Sequence, residues 1–155
     1  MNDAQLQTLA AALRAETNPG VVAALAIRDD FSLMTWCNSA SNQDAWADSL
    51  DRRALFDLMA ITAFDGLTAG KRDAWRLLLD NAPLDMSRKK YRDALPDIWG
   101  GPASVSMLQG CTRKATRAEV YLGGSVATTN TVSALKLDHP GLVSINDVSD
   151  ALNRF

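Results

Sequence analysis

Asp85–Gly101, DMSRKKYRDALPDIWGG, joins a helix start, a run of basic residues and an aromatic end in one short segment. Asp85 or Ser87 is predicted to cap a helix, because a short polar side chain can bond the free amides of the first turn. Pro96 lacks an amide hydrogen and restricts the residue before it, which predicts a helix end near Ala94. The basic residues between these points predict a surface that engages another molecule.

Apolar residues at helical spacing and polar caps predict more helices on both sides of this segment. Asn2 or Asp3 is predicted to cap the first helix, and Asn18 before Pro19 starts a second that reaches about Ile27. Two of the remaining predicted helices have both ends defined, Asp51 through Phe64 and Ala103 to Gly110. The other four are defined by their starts, which are Asp29 or Asp30, Thr68 or Ala69, the Thr116–Glu119 capping box, and Ser144–Asp147. Trp75 is predicted to lie in the core.

The C-terminal part differs in composition. Ser125–Leu137 is enriched in β-branched residues, and Asn130 near its middle is typical of a turn, so the segment predicts a β-hairpin. The polar segment 38–44 predicts a loop. The sequence therefore predicts a mainly α fold, a compact helical domain of six to eight short helices with a small C-terminal β-hairpin or extended arm. Residues 1–122 would form the helical body, and 123–155 the hairpin arm and last helix, as part of the same domain or as an appendage.

The net charge of the chain indicates which class of molecule could be its partner. The chain has 155 residues, of which 47% are hydrophobic, and a formal net charge of -2, which gives no overall attraction to nucleic acid or to an anionic membrane. Its apolar runs are shorter than the ~20 residues that cross a bilayer, and its start lacks a secretory signal pattern. We therefore expect a protein partner and no membrane association.

Residues for catalysis or metal binding are sparse. Cys37 and Cys111 are far apart in sequence and are interpreted as buried, reduced thiols. His139, the single histidine, has no cysteine pair nearby, and the glycines form no phosphate-binding pattern. We expect no enzyme activity, no cofactor and no metal. Cys111 with His139 is the one pair that an enzyme could use.

Candidate interface residues come from charge, aromaticity and position. Two basic clusters could contact phosphates or carboxylates, or could be solvated surfaces. Trp46 in a polar segment and Trp99 after a proline are candidate interface rings, and the hairpin edge could add to a neighbour's sheet. The complete predicted interface set is Trp46, Arg88, Lys89, Lys90, Arg92, Trp99, Arg113, Lys114, Thr128, Thr129, Asn130 and Phe155.

Several segments together resemble a group of small proteins of tailed bacteriophages that are encoded among virion morphogenesis genes. These segments are Leu9–Pro19, Pro83–Ser87 leading to Arg92, Ile98–Gly100, Ala115–Glu119 and Ile145–Leu152. The resemblance implies a structural protein of the phage particle, a neck or head-to-tail connector (adaptor) subunit that forms a ring beneath the portal. Its partners would be copies of itself, the portal and the tail or neck proteins, with non-specific DNA contact in the bore. It would be assembled in the host cytoplasm and remain in the virion.

Alternatives stay open at this point. Another tail-associated or capsid-associated virion protein would have a similar sequence. A small DNA-binding regulator could place helix 87–95 in a groove of DNA, which requires Arg88, Lys89 and Arg92 to project together. An enzyme of unknown type would depend on Cys111 and His139.

Overall fold

The computed structural model describes all residues, Met1–Phe155, and contains ten helices and four strands. In chain order they are α1 (Asp3–Ala15), α2 (Pro19–Ile27), α3 (Asp30–Asn38), β1 (Ala40–Trp46), α4 (Arg52–Asp57), α5 (Ile61–Asp65), α6 (Ala69–Asp80), α7 (Lys89–Trp99), α8 (Gly101–Gly110), β2 (Thr112–Thr116), α9 (Arg117–Leu122), β3 (Gly124–Thr129), β4 (Val132–Leu137) and α10 (Ile145–Arg154). The predicted mainly α fold is wrong, because a four-stranded mixed sheet makes this an α/β fold.

The sheet has the strand order β2-β1-β4-β3. β1 and β4 are parallel, with Ala45 opposite Leu135. The predicted loop 38–44 therefore lies mostly in a strand, and the predicted interface residues Arg113 and Lys114 lie in β2. The predicted hairpin is present as β3 and β4, with Asn130 at φ 55 in the turn. It is one half of the sheet, whereas the sequence predicted an isolated hairpin.

Side chains cap the starts of most helices, with α5, α7 and α8 as the exceptions. Three helices begin with a capping box, in which two side chains three residues apart bond each other's backbone amides. These pairs are Asn2 with Gln5, Thr116 with Glu119, and Ser144 with Asp147. Asn18 accepts a hydrogen bond from the Gly20 amide before Pro19, which confirms the predicted start of α2.

Two helix predictions are wrong in their ends. The predicted helix from Asp51 through Phe64 is two short helices, α4 and α5. Helix α7 has Arg88 at its N-cap position and no side-chain cap, so the predicted cap at Asp85 or Ser87 is wrong. It also continues past Pro96 to Trp99, although proline removes one backbone hydrogen bond. Ile98 and Trp99, which follow the proline, are buried in the core, and this burial offsets the lost bond.

The chain divides into two compact units. The first contains 1–43, 114–124 and 137–155, and the second contains 44–113 and 125–136. The predicted C-terminal arm is thus shared, since 125–136 belongs to the second unit and 137–155 to the first. In the first unit, α1 packs against α9 and α10 around a core that includes Leu9, Leu13, Leu33 and Val148.

The second unit has an aromatic core. The rings of Trp75 and Trp99 meet edge to face with their centroids 5.2 Å apart, which confirms that Trp75 is a core residue. Leu55, Leu95 and Leu108 are buried in the same cluster. Across both units, none of the helices combines the length and the apolar character that a membrane crossing requires.

Candidate interaction surfaces

The exposed cations at the start of α7 already have partners nearby. Arg88 donates to Asp85 at 3.0 Å, Lys89 pairs with Asp93 at 2.5 Å, and the Lys90 amine lies 4.6 Å from the Tyr91 ring centroid. Burial acts to raise the pKa of Asp85, but hydrogen bonds from Ser87 and the Arg88 charge outweigh it and hold that pKa below its usual value. These contacts offset much of the positive charge that the sequence run suggested.

Arg92 points the opposite way, into the core of the second unit. Arg92 is 5% exposed, and its Nη1 donates to the carbonyls of Met86 at 2.7 Å and Ser87 at 2.5 Å. Nε donates to the buried Thr129 hydroxyl at 3.1 Å, and the guanidinium lies 5.1 Å from the Trp46 ring centroid. Burial lowers the pKa of Arg92, with the charges of Asp93 and Asp85 acting in the opposite direction. Arg92 and Thr129 are therefore core residues and not surface contacts.

The two predicted interface tryptophans are also buried. The Trp46 indole nitrogen donates to the Ala127 carbonyl at 2.9 Å, which joins β1 to the hairpin. Trp99 packs against Trp75 and Phe64. Both rings are apolar enough to be drawn into the core once the sheet and α7 provide a site for them.

The other predicted interface residues lie at or near the surface. Arg113 in β2 is half-buried and lies 4.0 Å from Asp48, and Lys114 beside it is exposed. Thr128 is exposed in β3, and Asn130 in the turn donates to the Ser104 hydroxyl at 3.3 Å. Phe155 is the exposed last residue of the chain. Three of the predicted residues, Trp46, Arg92 and Thr129, thus meet in the core of the second unit, whereas the exposed ones are spread over α7, β2, β3, the turn after β3 and the end of the chain.

Sequence reasoning missed the apolar surface of α2. The sequence of this helix, PGVVAALAI, has no polar side chain, yet only Val21 and Ala24 are buried. We define the α2 face as the exposed apolar residues Val22, Ala23, Ala26 and Ile27 with Phe31 of α3, where Ile27 is 76% and Phe31 63% exposed. A helix that is apolar on all sides is normally covered on all sides. The missing polar stripe was a signal that the sequence offered.

Each of the two units has a groove on its surface. In the first unit, a groove of about 510 Å³ between α2 and α3 is lined by Val21, Ala24 and Trp36. In the second unit, a groove of about 460 Å³ runs between α6 and α7 over Leu77, Leu78 and Ile98, with Lys90 and Asp97 also in its lining. Both are mostly apolar, which suits a protein segment as occupant.

The enzyme alternative depends on Cys111 and His139, and the structure shows the surroundings of both residues. Cys37 and Cys111 are buried as predicted, and burial raises the pKa of each thiol to about 12. A thiol with so high a pKa forms little thiolate at neutral pH. His139 lies with its Nδ1 3.3 Å from the Gln5 amide nitrogen.

No protein family, curated protein or solved structure matches this chain.

Proposed function

We propose that this chain is a structural subunit of a tailed-bacteriophage particle that works at the head-to-tail connector. It joins a ring beneath the portal by packing against neighbouring virion proteins. The sequence resemblance supports the placement in the particle. The surfaces support a role in assembly, and the α2 face is the observation that carries it.

The α2 face suits burial against a portal or neck protein. It presents two large aliphatic side chains and an aromatic ring beside small alanines, and the exposed Arg28 follows Ile27 at its border. Interface cores are depleted of charge and enriched in aromatic residues, and this composition matches that pattern. Covering this surface removes the cost of keeping Ile27 and Phe31 in water.

The position of Arg92 gives the DNA-binding alternative less support. That alternative requires Arg88, Lys89 and Arg92 to project together, but Arg92 is held in the core by three hydrogen bonds. The exposed Arg88 and Lys89 each face an aspartate. Binding to duplex DNA that persists at moderate salt would restore this alternative over the structural one.

We expect Ile27→Asp to weaken assembly. A buried, unpaired carboxylate in an apolar interface is costly, so the variant should bind the portal or neck protein of the same particle at least about tenfold more weakly than the wild type. Light-scattering mass of the chain, alone and with each of these proteins, measures the effect.

Leu142→Asp is the matched control, because Leu142 is similarly exposed at 70% but lies outside the α2 face. The control should enter the complex as the wild type does. Normal incorporation of Ile27→Asp, or equal loss in both variants, would show that the α2 face does not carry assembly. Failure of the wild-type chain to bind any protein of the particle would refute the proposed function itself.

A further inference from the structure

Strand β3 is an edge strand with an open side. It stands last in the order β2-β1-β4-β3, so β4 is its one neighbour in the sheet. A strand in this position presents a row of backbone N–H and C=O groups to any strand that approaches. Val126 and Thr128 are exposed on one face of the strand, Ser125 is exposed on the other, and Thr129 is buried.

The two edges of the sheet differ in charge. At the opposite edge, β2 carries Arg113 and Lys114, and charged side chains on an edge oppose pairing with another strand. β3 and the turn after it, 124–131, contain neither a charged residue nor a proline. The sheet is therefore protected at β2 and open to pairing at β3.

The geometry of the hairpin shows which backbone groups face outward. The hydroxyl oxygens of Thr128 and Ser133 are 2.7 Å apart, so these two residues lie opposite each other across the hairpin. The pair next to a two-residue turn exchanges backbone hydrogen bonds, and bonded and non-bonded pairs then alternate. The backbone groups of Thr128, and of Val126 and Gly124 before it, therefore point away from β4.

We propose that β3 pairs with β3 of a second copy, antiparallel and about a two-fold axis. In the register with the largest overlap, Val126 lies opposite Val126 of the second copy and Gly124 lies opposite Thr128. Identical uncharged strands bring no like charges together at any register, and pairs of β-branched residues stabilise adjacent strands. The contact is self-complementary, as two-fold contacts are. It concerns the free protein and does not depend on the proposed place in the particle.

The test is the mass of the free chain as a function of concentration. From roughly 10 µM to 1 mM, a range suited to a weak contact, the light-scattering mass should rise from 16.7 kDa towards twice that value. Val126→Lys should weaken dimerisation by about tenfold or more, because two like charges then face each other across the axis. Leu142→Lys introduces the same charge at a side chain of equal exposure, 70%, and should leave the dimer unchanged.

A charge exchange separates β3 pairing from other causes. Val126→Asp should also stay monomeric alone, whereas an equal mixture of Val126→Lys and Val126→Asp should form a one-to-one dimer. A wild-type chain that remains single at the highest concentration would overturn the proposal. The proposal would also be overturned if the Val126→Lys variant still dimerised or if Leu142→Lys weakened the dimer equally. Failure of the mixed Val126→Lys and Val126→Asp variants to form a dimer with each other would overturn it as well. Larger species that depend on Val126 would show pairing of β3 with β2 of the next copy and would also overturn the two-fold contact.

Discussion

Replacing Arg92 with alanine is expected to lower the free energy of unfolding of the second unit by about 3–5 kcal/mol. The guanidinium bonds two backbone carbonyls and the buried Thr129 hydroxyl. Alanine would leave these three groups buried without that donor and would leave a space beside the Trp46 ring. Urea denaturation followed by circular dichroism and tryptophan fluorescence would measure the loss.

Two further variants test whether the loss of stability is specific to the guanidinium of Arg92. Arg88→Ala removes an exposed arginine of the same basic run and should change stability by less than about 0.5 kcal/mol. Arg92→Lys should recover only part of the loss, because an ammonium group lacks the planar set of donors. Equal effects of Arg88→Ala and Arg92→Ala would contradict the structural role of Arg92.

Glu119→Ala should destabilise the first unit by about 2–4 kcal/mol. Glu119 is 1% exposed, and its two carboxylate oxygens accept hydrogen bonds at 2.7 Å from the amides of Thr116 and Gly141. The side chain therefore caps α9 and also holds the turn that leads to α10. Without this acceptor, the amides of Thr116 and Gly141 lose their hydrogen-bond partner in a largely buried place. Thermal unfolding followed by circular dichroism at 222 nm is the measurement.

The matched variant is Thr116→Ala, which removes only the other half of the same capping box. It should cost about 1 kcal/mol, the usual contribution of a helix cap. If both variants lost the same amount of stability, the bond from Glu119 to Gly141 would contribute nothing.

Most helix starts could be predicted because a cap depends on residues only three positions apart, but α7 is an exception, since neither Asp85 nor Ser87 caps it. Strand β1 could not, since its first five residues are polar or small and do not alternate with apolar ones. Its identity as a strand comes from parallel pairing with β4, about ninety residues later in sequence. Helix α7 was predicted too short for a related reason, because the burial of Trp99 depends on Trp75 and Phe64 from other helices.

The same limit applies to the predicted interaction residues. The run Arg88–Arg92 shows that the helix is positively charged, but it does not show which of its side chains face the core. Arg92 is the one that does, because it bonds Thr129 in the distant hairpin. Burial of Trp46 likewise depends on the Ala127 carbonyl in β3. The α2 face needed no tertiary information, because the absence of polar residues from α2 could be seen in the sequence.

The first and last helices are packed together: α1 contacts α10, and Arg154 donates to Asp3 at 2.9 Å. During synthesis, Leu6, Leu9 and Leu13 leave the ribosome long before Val148 and Leu152 exist to cover them. The apolar stripe of α1 therefore stays partly uncovered in the nascent chain until α10 has been synthesised, which exposes it to chaperones and to aggregation. Loss of α10 would thus remove part of the cover from the apolar residues of α1, far away in sequence.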